Sequence, residues 1–223
     1  MSPAEGQPTP AASGRHQPNR RGEGNRLRGA ILAAAAEVLD ETGNENAVTL
    51  RAVARRAGIA APSIYAHFDD RQAILLALAE QAFEDLAAAL SAAADPGTAA
   101  EVQLRATCAA YLEHAARRPQ RYRVMFGGLW SAADAVAAGA VPADAVTALG
   151  QAALHVLTAR LQACVDAGSS TSTDPEVDAV ALWLGLHGLA HQRAVSTAFP
   201  WPPGVADRVI GPLAGLRADP ART

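Results

Sequence analysis

"VTLRAVARRAGIAAPSIYAHF", residues 48–68, is the stretch on which the fold turns. Thr49 is a good N-cap residue, and Leu50, Val53, Ala54 and Ala57 follow it on one face at helical spacing. Arg51, Arg55 and Arg56 take the other faces. Gly58 breaks this helix, and Pro62 is compatible only with the first turn of a new one, which ends near His67. Two short helices joined by a tight glycine-containing turn predict a helix-turn-helix, whose second helix lies in the major groove of DNA. Tyr65 and His67 then have a chemical use. A phenolic hydroxyl and an imidazole at the edge of that helix both hydrogen-bond phosphate without reading sequence. Arg71, in the first turn of the next helix, adds positive charge. Ala61, Pro62, Ser63 and Ala66 face the groove, and of these only Ser63 has a side-chain donor. Thr49 and Arg51 complete the expected contact set. Specificity then leans on thymine methyl groups and DNA shape.

The rest of the chain fits an all-α fold. Half of the 223 residues are hydrophobic, alanine is abundant, and no long alternation of β-branched residues supports a strand. Further helices are expected over 26–42, 70–94, 98–118, from about 121 through Phe126, 142–167, 176–198 and 204–216. Residues 128–141 are ambiguous. Residues 1–25 are rich in Pro, Gly, Ser and Arg and read as a disordered arm, either a solubilising tail or a basic extension to DNA. The net charge is −3, which by itself argues against a general nucleic-acid binder. Its distribution is uneven: residues 1–72 hold nine Arg against eight acids, the remainder ten Arg against fourteen. A protein that touches DNA only with its first part has this pattern. No secretory leader or membrane-spanning run is evident, so a cytoplasmic protein is expected. Cys108 and Cys164 read as buried thiols rather than a disulfide pair. Phosphate-binding loops, nucleophile elbows and zinc-protease patterns are all missing, so no enzyme is expected.

Residues 26–78 resemble the DNA-binding domain of the TetR/AcrR family of regulators. The resemblance rests on "ILAAAAEVLDETG", "VTLRAVARRAGIAAPSIYAHF" and "DRQAIL". It implies two-fold symmetric homodimers, double-stranded DNA as partner, and a small hydrophobic or aromatic effector sensed by the later helices. The implied layout is a disordered basic arm (1–25), a three-helix helix-turn-helix DNA-binding domain (26–72) and a larger helical ligand-binding and dimerisation domain (73–218). A repressor released by its effector is expected; an activator, or a dimer with weakened DNA recognition, is the alternative. The latter arises because Ala60 stands where the family places a capping Ser. "PQRYRVMFGG" and "ALWLGLHGLAHQ" resemble the C-terminal domain type named for its Trp-His-Gly pattern, here Trp183, His187 and Gly188.

In that second part, Tyr111, Met125, Phe126 and Trp130 either line an apolar pocket or form ordinary core. His187 and His191 share a helical face with Trp183 and offer a polar contact to a ligand. Their spacing suits a metal, but the sequence fixes no third ligand, so no metal or other cofactor is expected. Gly188 inside a helix marks a close helix–helix approach or room for a ligand. Dimerisation is expected through the last two helices.

Overall fold

The computed structural model describes residues 21–126 and 131–217. Eleven α-helices and one 3-10 turn make up the described chain. Helix α1 (Arg21–Thr42) buries Ile31, Ala35 and Leu39. A 3-10 turn (Glu45–Ala47) leads to α2 (Leu50–Arg56), where the Thr49 hydroxyl accepts from the Ala52 N–H at 3.2 Å. Helix α3 (Ala61–Ile64) is only four residues long, shorter than its sequence suggests. Its N-cap is Ala60, which makes no side-chain capping bond, and Pro62 occupies its first turn.

Helix α4 (Arg71–Ala92) starts on an Asp70 cap and holds the two halves of the molecule together. Its Ile74 to Ala79 belong to a first core with Ile31, Leu39, Val53, Ile64 and Phe68. Its Ala82 to Leu90 belong to a second core with Leu104, Tyr111, Leu157, Leu182 and Leu186. The second core is built from α5 (Ala100–Arg117), α6 (Pro119–Phe126), α9 (Gln151–Asp166), α10 (Pro175–Val195) and α11 (Val205–Leu213). Two short helices, α7 (Ala132–Ala137) and α8 (Ala143–Ala148), lie between α6 and α9. Ala135 and Val141 from this stretch pack on the first core, not the second.

Three expectations need correction. The helix expected from about 121 starts two residues earlier, at Pro119, because a missing N–H and a fixed φ suit a first helical turn. The expected helix over 142–167 is two helices, broken at Gly150. There φ is +78°, and a Cβ would lie 2.9 Å from the Phe83 ring, so only glycine fits. The close helix approach belongs to Gly185 rather than Gly188. A Cβ on Gly185 would meet Leu213 at 2.5 Å and Val209 at 2.9 Å, whereas Gly188 has nothing within 4 Å. After α9, residues 169–171 tie down the end of α11 through Thr171 N–H to Gly215 O (2.8 Å), Arg217 N–H to Ser169 O (3.0 Å) and Ser170 hydroxyl to Ala214 O (2.7 Å). No described helix is long and apolar enough to cross a membrane.

Candidate functional site

The first site is the outer face of α2 and α3. Ile64 and Phe68 are sunk into the head, at 0% and 2% exposure, and fix the rotation of α3. Ala61, Pro62, Ser63, Tyr65 and Ala66 therefore face outward, all exposed. Tyr65 is 59% exposed, a large ring left in solvent by a helix that buries its other side completely. His67 is half-buried beside it. Thr49 and Arg51 at the start of α2 are exposed on the same head, as is Arg55. Arg56 is not available in the same way, because Glu37 and Glu41 of α1 both pair with it. Arg28 is also engaged, with its guanidinium 4.8 Å from the centre of the Phe68 ring.

Arg71 departs from its expected role. Its Nε donates to the Val48 carbonyl (3.2 Å) and its Nη2 to the Glu45 carbonyl (2.8 Å). Two of its three nitrogens thus clasp the loop between α1 and α2. Loop carbonyls without a helical partner need such a donor, and the start of α4 brings this one within reach.

The second site lies in the second core. Tyr111 is fully buried, and its hydroxyl lies 3.0 Å from that of Tyr122. The Tyr122 hydroxyl lies in turn 2.8 Å from Nδ1 of His187. Rings surround this chain. Phe126 sits 4.4 Å from His187, 4.8 Å from Tyr122, 5.8 Å from Trp183 and 5.3 Å from Phe83. Phe126, Trp183 and His187 are half-buried, so the cluster runs from the interior to the surface between α6 and α10. Burial pushes the Tyr111 phenol up to about 12 and also raises that of Tyr122. Burial, with His191 nearby, lowers the pKa of His187. None of the three carries charge near neutral pH.

Between the two sites runs a line of ion pairs. Arg121 of α6 reaches Asp40 of α1 at 2.9 Å and Asp85 of α4 at 3.6 Å, and Arg118 reaches Asp85 at 2.7 Å. Beneath it, a cleft of about 390 Å³ separates α1 from α4 and α6, floored by Ala33, Ala36 and Ala82.

Comparison with known proteins fits this geometry. The family described as "Bacterial regulatory proteins, tetR family" matches residues 31–78, and a "Tetracyclin repressor-like, C-terminal domain" matches residues 104–210. The chain belongs to the TetR family of transcriptional regulators. A transcriptional activator named FasR from Mycolicibacterium smegmatis is 33% identical over 113 residues. That match covers 48% of this chain and 50% of FasR, so the chain spans about half the length of the curated relative it matches. A Rhodococcus sp. RHA1 protein of unknown function is similar in structure, with 26% identity, a TM-score of 0.66, and coverage of 91% of this chain and 95% of the other. A tetR-family regulatory protein from Rhodococcus RHA1 is similar at 22% identity and a TM-score of 0.61, over 87% and 99% of the two chains. Members of this family are regulators, not enzymes.

In this TetR-family regulator the structure brings Tyr111, Met125, Phe126, Trp183 and His187 into or against one core. Trp130 lies outside the described residues. His191 does not join the interior; it is exposed on α10, with its ring 6.2 Å from that of His187. Among the described residues no group of three His, Cys, Asp or Glu side chains is placed to hold a metal. Sequence reasoning missed Tyr122, the hub of the cluster, and Phe83. Tyr122 sits within the quoted "PQRYRVMFGG", three and four residues before Met125 and Phe126, and that helical spacing was the available signal. Nothing in the sequence places Phe83 under Phe126.

Proposed function

We propose that this TetR-family regulator binds operator DNA as a homodimer through α2 and α3, and that a small hydrophobic molecule held in the second core changes that binding. The observation that carries the DNA half is the outward face of α3. Its small residues and Tyr65 stand clear of a head whose other side is completely packed. Small side chains let the helix approach base edges closely, while Tyr65 and His67 hold the phosphates. The test is a binding titration on DNA selected by the wild-type protein from a random pool. Tyr65→Ala combined with His67→Ala is expected to weaken binding to selected and unselected DNA by the same factor. Wild-type affinity in the double variant would refute the phosphate contacts.

The dimer half is supported by α10. Val177, Leu184 and Val195 are 58–62% exposed along one side of that helix, with Gly188 and His191 between them. Val209 and Leu213 of α11 turn instead toward Gly185 within the same chain. The finer C-terminal type named for Trp183, His187 and Gly188 is part of this reading. So is repression, with the effector releasing DNA. The activator FasR favours the second sign of control. Transcription from the selected operator in cells lacking the gene separates them: it rises if the protein represses and falls if it activates.

A further inference from the structure

We infer that the cleft between α1, α4 and α6 is a second small-molecule site, separate from the ring cluster of the core, and that it takes an elongated apolar molecule carrying one positive charge. The cleft holds about 390 Å³, a size that small ligands fill. Its walls are apolar and mostly small. Gly29, Ala33 and Ala36 recur on one face of α1, and Leu78, Ala82 and Val124 line the other side from α4 and α6. Gly29 is the informative residue. A glycine inside a helix weakens it, so it calls for a reason. A Cβ at Gly29 would meet nothing within 4 Å, so packing within the chain does not supply one. The open space runs beside α1 from Gly29 to Glu37, about 12 Å at 1.5 Å per residue.

The sign of the charge comes from the rim. Four carboxylates, Glu37, Asp40, Glu41 and Asp85, share three guanidiniums, those of Arg56, Arg118 and Arg121. Arg118 and Arg121 are taken by Asp85 and Asp40, and Gln81 of the lining donates to Asp85 at 3.2 Å. Arg56 gives both terminal nitrogens to Glu41, and only one of them also reaches Glu37, at 3.3 Å. Glu37 is the carboxylate left short, and it lines the cleft. An ammonium group beside it completes the balance while the apolar body covers the walls. A carboxylate in the same place would face Glu37 and Asp85 with no spare cation. The position of the cleft gives the site its use, a consequence that rests on the DNA-binding role proposed above. Helix α1 packs in the head, and α6 enters the second core through Tyr122 and Met125. A molecule wedged between them favours one seating of the head over another and so changes operator binding.

The test uses the full chain and three probes that share one body: 4-phenylbenzylamine, 4-phenylbenzyl alcohol and 4-phenylbenzoate. Binding is followed by calorimetry at pH 7.5, with operator affinity measured in parallel. The amine is expected to bind at least about threefold more tightly than the alcohol, and the benzoate most weakly. Glu37→Gln is expected to bring the amine down to the affinity of the alcohol and to leave the alcohol unchanged. Gly29→Leu, which the open space accepts and a helix favours, is expected to melt no lower than wild type and to weaken amine and alcohol alike by about tenfold or more. Bound amine is expected to slow amide exchange in α1 and not in α10. Benzoate binding as tight as the amine, or an unchanged amine affinity in Glu37→Gln, would overturn the charge assignment. No saturable amine binding at millimolar concentration, wild-type binding in Gly29→Leu, or protection confined to α10 would overturn the site. So would a Gly29→Leu protein that sediments as a smaller species than wild type, which would show a second copy of the chain seated there. An operator affinity that saturating amine leaves unchanged would overturn the regulatory use, whereas a wild-type protein that binds no DNA without ligand would remove the DNA-binding reading and leave the site standing.

Discussion

At residue 60 the chain departs from what a helix start prefers. Ala60 caps α3 without a side-chain hydrogen bond, and α3 has only four residues over which to recover the loss. Thr49, eleven positions earlier, shows the bonded alternative, with its hydroxyl on the Ala52 N–H. Ala60→Ser is therefore expected to stabilise the protein by ~1 kcal/mol, read as a higher denaturant midpoint with an unchanged slope. An unchanged midpoint would show that Pro62 already fixes the turn. Individual residues of this kind were legible in the sequence because their roles are local: a cap, a turn glycine, a first-turn proline. Arg71 was not, because its partners Glu45 and Val48 lie 26 and 23 positions away. Its position after α3 suits a phosphate contact, while its Nε and Nη2 serve two loop carbonyls that only the folded chain brings near.

Among the helices, α6 carries the most information per residue. One face places Tyr122, Met125 and Phe126 in the aromatic cluster, and the other sends Arg121 to Asp40 at the end of α1. Arg123 adds a bond to the Gly43 carbonyl at 3.4 Å, and Gln120 packs against Gly43 itself. Any shift that parts Phe126 from Trp183 must therefore load the contact between α6 and the DNA-binding head. Arg121→Ala is expected to leave the fold intact, since the guanidinium is partly exposed and surface pairs contribute ~0–1 kcal/mol. It is expected to speed hydrogen exchange in α1 relative to α10. Equal protection in variant and wild type would show that packing alone couples the two cores. The helix was foreseen from "RYRVMF" but its start was not, because Pro119 reads equally as a stop and as a first turn. The break at Gly150 was hidden for a different reason. Helical periodicity continues across it, and the ring that excludes a Cβ there comes from Phe83 in α4.

On the scale of the whole molecule, a single head reads too little to be selective. Among the residues expected to face the bases it offers one side-chain donor, at Ser63, with exposed Arg51 and Arg55 for charge. Two heads held one helical turn of DNA apart, roughly 34–36 Å, double the contact set and demand a symmetric site. That arrangement requires a stable two-fold interface, and the exposed apolar side of α10 is the surface suited to it. Leu184, at 58% exposure near the middle of that side, is the residue to change. Leu184→Glu should be harmless to the isolated chain, because a glutamate there points into water. Across a two-fold axis the same change buries two carboxylates against each other with no cation to pair them. The variant is expected to sediment as a monomer at micromolar concentration with the melting behaviour of a folded domain. Its operator affinity should fall by roughly 10²-fold or more, because the second head no longer binds at the high effective concentration that the dimer provides. Non-specific binding, which needs only one head and its arginines, should fall far less. A Leu184→Glu protein that stays dimeric would move the interface off α10, and a monomer that retains full operator affinity would show that one head suffices.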